Sequence, residues 1–289
     1  MQGWRVVPVL SWPVPGLRHP LAHRRHALPL KPRTRPCQRP IRSYQEHASR
    51  ESPPSQAIGP IQHLACPPWQ GSQQEMEALH QLERRLDQGR CRGRYTRDTA
   101  VWFLRDRRLD VAEAAGKLEA MLDWRARIGA DGLDWASVAK EAASGKVYLH
   151  PHRDVLGRPV VVIHVRKHVM GASPGADSQR LCAWILDAAL AALPPGQECV
   201  LGIFDLKGFS LQNADLGFAR FLVDALFTYY PRRLGQAVLV DPPWAFQPGW
   251  SVVKPWLGKY GDLVRVCSAR QVGVEYFQPG TAPRGFGPS

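Results

Sequence analysis

From Gln74 to about Ala143, apolar residues recur at helical spacing. Met76, Leu79, Leu82 and Leu86 form one stripe. A second helix is expected from Asp98, read as its N-cap, through Trp102, Phe103 and Leu104. A third spans Val111 to Arg127, with Ala115, Leu118, Met121, Leu122 and Trp124 on its apolar side, and Gly129, Gly132 and Trp135 mark a short connection after it. This pattern predicts a small all-helical module over 74–143 that buries its own seam.

The period changes at Gly145. Pro159–Val165, Cys199–Asp205, Gln236–Asp241 and Leu263–Cys267 are short, β-branched apolar runs, the mark of strands covered on both faces. Ser178–Leu193, Ala214–Tyr229 and Phe246–Leu257 carry helical periodicity between them. Strand and helix in alternation predict an α/β domain over 145–279 with a mostly parallel sheet flanked by helices. Residues 280–289 are rich in Gly and Pro and read as a loose tail.

The most informative stretch runs from Tyr229 to Leu257. A helix-period segment ends in Tyr230-Pro231-Arg232-Arg233, a buried strand follows, and Pro242-Pro243 stops it. Phe246, Trp250, Val253 and Leu257 then recur at spacings of four, three and four, laying one aromatic stripe along the expected helix. A helix of that kind, just past the carboxyl end of a buried strand, is either permanent core or the wall of an apolar cavity. Ligands enter open α/β sheets at this place.

Charge alters the picture mainly at the N-terminus. Residues 1–70 hold 10 Lys and Arg against Glu46 and Glu51, and 13 of the 26 prolines; the remaining chain nets only +5 of the total +13. The body has no basic stripe with interleaved aromatics, so the charge does not indicate a nucleic-acid partner. An acid-poor, Arg-rich leader fits an organelle transit peptide, with chloroplast favoured over mitochondrion; the alternatives are a disordered basic extension with no address and a cytoplasmic protein. Nothing approaches the length of apolar chain that a membrane span needs. The six cysteines form no CxxC pair, and Cys182, Cys199 and Cys267 fall in apolar segments, as expected of buried thiols.

No catalytic set emerges. Gly171-Ala172-Ser173-Pro174-Gly175 formally fits a nucleophile elbow, but it is displaced from its strand, Pro174 restricts the turn, and no histidine follows His168. His150, His152, His164 and His168 lack carboxylates or thiols at ligand spacing, and no phosphate-cradling glycine motif is present. Asp205 and Asp241 end strands, where they serve as loop caps more readily than as an acid/base pair. The residues therefore call for no cofactor, no metal and no enzymatic activity.

Four motifs, in order over roughly residues 75–275, resemble the CRAL-TRIO lipid-binding family. Trp102-Phe103-Leu104-Arg105-Asp106-Arg107-Arg108-Leu109-Asp110-Val111, with Met121-Leu122-Asp123-Trp124-Arg125, looks like its helical amino-terminal module. Asp154-Val155-Leu156-Gly157-Arg158-Pro159-Val160 resembles the approach to its first core strand, and Asp205-Leu206-Lys207-Gly208 its Asp-x-x-Gly loop. Tyr230-Pro231-Arg232-Arg233-Leu234, Pro243-Trp244-x-Phe246 and Lys254-Pro255-Trp256-Leu257 resemble its most diagnostic stretch.

The resemblance implies a helical module packed on an α/β lobe, with an apolar cavity closed by a movable gate helix, here Phe246–Leu257. It implies a monomer that binds a phospholipid or isoprenoid-type lipid and exchanges it at transient membrane contacts without covalent chemistry. A static lipid sensor or membrane-recruitment module is the alternative. On this basis Phe204, Tyr230, Arg233, Phe246, Trp250, Val253 and Leu257 are candidate ligand-binding residues, and Arg107, Arg108 and Arg232 candidate head-group residues. Arg232 stands where phosphoinositide-binding members carry an acid, and Gly261 and Val264 fall at or near positions where they carry Thr and Lys, which argues against the usual phosphatidylinositol recognition.

Overall fold

The computed structural model describes residues 58–59, 62–89 and 91–287. The chain divides into Met1–Ser52 and Pro53–Ser289, and every described residue belongs to the second unit. The expected N-terminal extension and its targeting reading lie, as far as residue 57, outside the described residues, as does the end of the loose tail.

The helical module begins at α1 (Gln73–Gln88), opened by a capping box in which Ser72 Oγ accepts from the Glu75 amide and the Glu75 carboxylate accepts from the Ser72 amide. Leu79, Leu82 and Leu86 of its stripe are fully buried, while Met76 is half-buried at the helix edge. Helix α2 (Arg97–Asp106) is capped by Thr96 and not by Asp98, because Thr96 Oγ1 accepts from the Thr99 amide at 3.2 Å. Helix α3 (Val111–Ile128) starts on Asp110 and ends on Gly129 in the left-handed conformation, at φ 68°. The segment read from sequence as a connection contains a further short helix, α4 (Trp135–Ala142), capped by Asp134 and buried through Val138 and Ala142.

The sheet runs in the order β1-β2-β3-β4-β5: β1 (Val147–Leu149), β2 (Val160–His164), β3 (Val200–Asp205), β4 (Leu234–Val240) and β5 (Val264–Cys267). The last four are parallel, and β1 pairs antiparallel with β2. The strand β1 is three residues long, too short to register as a periodic run. Helix α5 (Gly175–Ala191) joins β2 to β3, starting directly after Pro174 and so earlier than its apolar pattern. Between β3 and β4, helix α6 (Leu216–Asp224) opens into a π-helical turn over Ala225–Tyr229.

Because side chains alternate along a strand, each sheet face has its own set. Val161, Ile163, Gly202, Phe204, Ala237 and Leu239 share one face by register, and much of that face packs with α5, Trp124 and Tyr230. Val160, Val162, Leu201, Ile203, Val238 and Val240 share the other, covered by Val272, Tyr276 and Phe277 at the short helix α8 (Ala269–Glu275), an element with too few apolar positions to be read from sequence.

The expected single helix Phe246–Leu257 is broken. A 3-10 turn at Trp244–Phe246 leads into α7 (Gln247–Val253), and Lys254–Leu263 continues in 3-10 geometry with Gly258 at φ 50°, ψ −126°. Pro255 supplies no amide hydrogen, which cuts the α ladder at α7's carboxyl end. The Gly258 conformation lies in the region that only glycine enters at low cost.

Candidate functional site

The junction of helical module and sheet lobe is held by two arginines. Arg125 on α3 spans Asp187 of α5, at 3.0 and 3.3 Å, and Asp131 at 2.6 Å, and it donates to Tyr230 Oη at 3.0 Å. Tyr230 in turn donates to Asp187 Oδ1 at 2.7 Å. Burial raises the phenol's pKa well above its usual value, with the Asp187 charge adding to the effect. The ring of Trp124 stacks on Tyr229 at 4.5 Å and meets Tyr230 edge-on. Tyr230 is therefore a brace between the layers, and its hydroxyl is already engaged.

Arg232 is likewise taken up by the fold. It lies buried with φ 58°, its Nε 2.8 Å from Asp106 Oδ1 and its Nη1 donating to the carbonyls of Leu64 and Ala65 at 2.8 and 3.0 Å. Burial opposes ionisation of Asp106, but hydrogen bonding and charge from Lys117, with Arg107 and Arg232, hold its carboxyl below the usual range. Lys117, 2.7 Å from the same carboxylate, is pushed down by burial to about 8. The Arg232 guanidinium is thus engaged by Asp106 and by the Leu64 and Ala65 carbonyls. Arg233 lies 3.3 Å from the centroid of Trp102 and donates to the Glu198 carbonyl at 3.2 Å; burial pushes its guanidinium down to about 10. Trp102 Nε1 donates to the Pro231 carbonyl at 2.8 Å, so the whole Tyr230–Arg233 corner is locked onto α2.

The remaining candidates meet at one end of the sheet. Phe204, near the carboxyl end of β3, and Ile163, its register partner on β2, are only half-buried, unlike the strand residues that precede them. Helix α6 is strongly apolar, yet none of its residues is buried, and the same holds for α7. Phe218 and Phe221 on α6 and Phe246, Trp250 and Val253 on the gate segment are all half-covered. The rings contact in two groups: Phe209 meets Phe246 at 5.4 Å and Phe246 stacks on Trp250 at 5.8 Å, while on α6 Phe218 meets Phe221 at 5.4 Å. Leu257 is buried at the far end of the stripe. Packing thus leaves an apolar surface incompletely covered where the sheet, α6 and α7 come together. Ile163, Phe218 and Phe221 were missed from sequence because periodicity marks them as apolar but says nothing about how completely they are covered.

The two head-group candidates that remain face different clefts. Arg107 lines a cleft of about 380 Å³ together with Arg220, Phe227, Trp256, Lys259 and Tyr260; Phe227 and Tyr260 stack there at 4.1 Å. Arg107 is also paired with Asp106 at 3.0 Å. Arg108, at φ 51°, lines a smaller cleft of about 280 Å³ with Arg105, Glu75 and Leu109.

The polar residues singled out earlier are held in structural pairs. His164 Nδ1 lies 2.8 Å from Asp205 Oδ2, and Asp205 Oδ1 caps the Lys207 amide. His168 Nε2 lies 3.2 Å from Asp215, which caps α6. Ser173, the elbow candidate, donates to Glu141 at 3.0 Å, and Glu141 also receives Ser178 and the Lys146 ammonium. Burial pushes the Cys182 thiol up to about 12 and the Cys267 thiol up to about 11, away from thiolate reactivity. No group of three or more His, Cys, Asp or Glu side chains placed to hold a metal occurs among the described residues.

Comparison with known proteins agrees with this geometry. The CRAL/TRIO domain family model matches residues 142–261. A CRAL-TRIO domain-containing protein of Schizosaccharomyces pombe is 31% identical over 164 residues, covering 54% of this chain and 37% of its own length. The phosphatidylinositol transfer protein CSR1 of Eremothecium gossypii is 27% identical over 175 residues, covering 56% of this chain and 40% of its own. The chain thus spans less than half the length of these two curated relatives. The crystal structure of Sfh5 superposes with a TM-score of 0.57 at 12% identity, over 71% of this chain and 84% of that one, a likeness of fold. With the family match, the parallel sheet and the Sfh5 likeness together, residues 142–261 are a CRAL-TRIO domain in a Sec14-like fold.

Proposed function

We propose that this protein holds a hydrophobic lipid, of phospholipid or isoprenoid type, against the half-covered apolar surface between the sheet, α6 and α7, and exchanges it between membranes without covalent chemistry. The observation that carries this reading is that α6 is strongly apolar yet has no buried residue, and that α7, which carries Trp250 and Val253, has none either. An apolar surface left uncovered in this way costs stability unless something else covers it. Burial of an acyl or isoprenoid chain contributes about 0.8 kcal/mol per CH₂, so a chain of many carbons supplies a large gain. The gate segment has a proline stop at Pro255 and a glycine pivot at Gly258, which lets α7 move as a unit. The curated relatives include one named as a phosphatidylinositol transfer protein, in line with lipid transfer in general.

The head group remains a separate matter. Arg232 stands where phosphoinositide-binding members of the family carry an acid, and it is paired with Asp106, so phosphatidylinositol recognition of the usual form is not proposed. Arg107, at the mouth of the larger cleft with Arg220 and Lys259, is the anion contact proposed in its place. Native mass spectrometry with lipid extraction of the purified full chain tests the reading. A defined lipid near one-to-one is the expected result; a folded protein that takes up neither phospholipid nor isoprenoid from vesicles removes it. The basic leader is proposed as a transit peptide, chloroplast before mitochondrion, to be checked by localising a leader–fluorescent-protein fusion.

A further inference from the structure

We propose that three loop tips at the carboxyl end of the sheet form a basic-edged platform that docks on an anionic membrane surface. The proposal rests on the lipid-carrying reading and adds to it a docking face on the loops that border the gate segment. The tips are Met170, after β2; Leu211, after β3; and Trp244, after β4. They are 59%, 74% and 86% exposed, the highest values among the large apolar residues apart from Val266 and Val274, which lie elsewhere on β5 and α8. An exposed tryptophan, leucine and methionine on three neighbouring loops is a cluster that water alone does not favour.

The loops are stitched together rather than free. The Met170 amide donates to the Gln212 carbonyl at 3.0 Å, which sets Met170 beside Leu211. Asn213, buried, donates through Nδ2 to the carbonyls of Arg166 and His168 at 3.1 and 2.8 Å. The Phe209 and Phe246 rings meet edge-on at 5.4 Å and join the second loop to the third. The apolar tips are thus held on one scaffold, and inserting them into a bilayer surface would order little new backbone.

Charge complementarity selects an anionic membrane as the occupant. Residues 165–174 and 206–214 contribute Arg166, Lys167 and Lys207, all exposed, and contain no acid. The third loop adds one acid, Asp241, which accepts from the Ala269 amide at 3.4 Å, and the flanking Asp205 and Asp215 are held by His164 and His168, so cations outnumber free acids on this face. Apolar tips flanked by solvated cations match an interface in which side chains enter the acyl boundary and cations sit at lipid phosphates.

The experiment is co-sedimentation of the full chain with vesicles of phosphatidylcholine alone and of phosphatidylcholine with phosphatidylserine. A second readout is uptake of a fluorescent acyl lipid from micelles. The leader is present in every sample, so differences between variants report the platform. The Met170→Ser/Leu211→Ser/Trp244→Ser variant should lose on the order of ten-fold or more in partitioning to both vesicle types, with micellar uptake and thermal midpoint unchanged. Lys167→Glu/Lys207→Glu should lose the preference for phosphatidylserine, by about five-fold or more per charge. Unchanged vesicle binding by both variants overturns the platform. So does concentration-dependent self-association that the apolar variant abolishes while vesicle binding persists, since the face would then join copies of this chain. Rim-dependent vesicle binding with no lipid uptake leaves the platform standing and removes the lipid-carrying reading; uptake with no vesicle binding does the reverse.

Discussion

Arg232 and Asp106 face each other at 2.8 Å across the junction of helical module and sheet lobe, separated by 126 positions in the chain and both buried. Asp106 also neutralises Lys117 and Arg107. Removing the carboxylate leaves Arg232 and Lys117 buried with no counter-charge, whereas removing Arg232 leaves Asp106 two cations. The costs are therefore unequal. Asp106→Ala should destabilise by about 3–5 kcal/mol, the range for breaking a buried pair, and Arg232→Leu by clearly less. Urea denaturation of both variants checks this, and equal costs would contradict the assignment of Asp106 as the hub.

Gly258 adopts φ 50°, ψ −126°, open space surrounds the position where a Cβ would sit, and the residue joins the gate segment to the turn before β5. With no steric neighbour, any effect of Gly258→Ala comes from the backbone alone. A cost of about 1–3 kcal/mol is expected, together with slower lipid exchange, because the pivot would be drawn towards a different conformation. Measuring stability and transfer rate on the same variant separates a pivot from a plain turn: a turn loses stability and leaves transfer intact.

The four parallel strands were legible to within one or two residues because runs such as Val160–Ile163 and Ala237–Val240 are contiguous and apolar, and burial on both faces requires that; the three-residue β1 was not. The gate was misread as one helix because apolar spacing persists through Lys254-Pro255, whereas the lost amide does not show in the spacing. Helices α4 and α8 were missed because each is a short element with few apolar anchors. The roles of Arg232 and Tyr230 were out of reach for a different reason. Their partners Asp106, Arg125 and Asp187 lie more than 40 positions away, and no local pattern encodes such a pairing. What sequence did give at the site was its aromatic content: Phe246, Trp250 and Val253 share one half-covered face.

His150 provides a pH dependence with a definite sign. Its Nε2 lies 2.7 Å from the Thr281 carbonyl and its ring meets Phe277, tying β1's end to the chain after α8. Burial lowers its pKa below the usual value, opposed by the Thr281 bond, with His152 adding to the lowering. The unfolded chain therefore takes up this proton at a higher pH than the folded one. Stability is unaffected above about pH 6.5 and falls as the pH drops below it. The difference between the parent and His150→Gln, followed by denaturant titration from pH 7.5 to about pH 5, should shrink towards low pH. Groups common to both proteins cancel in this difference.

Trp250 and Val253 test the gate most directly. Helix α7 has no buried residue, so Trp250→Ser/Val253→Ser removes apolar surface from the cleft without opening a hole in the core. The expected stability loss is small, within about 1 kcal/mol. If these side chains seal a lipid chain against Phe204 and Ile163, the variant should lose transfer between donor and acceptor vesicles by about ten-fold or more, since each half-buried side chain contributes on the order of a kilocalorie to the bound lipid. A protein that holds lipid as a static sensor would behave differently. Its parent form would bind lipid but exchange it slowly, and the variant would weaken binding while leaving an already slow exchange no slower. Comparing equilibrium binding with exchange rate in parent and variant therefore decides between carrier and sensor, and unchanged transfer in the variant would remove the gate role from α7.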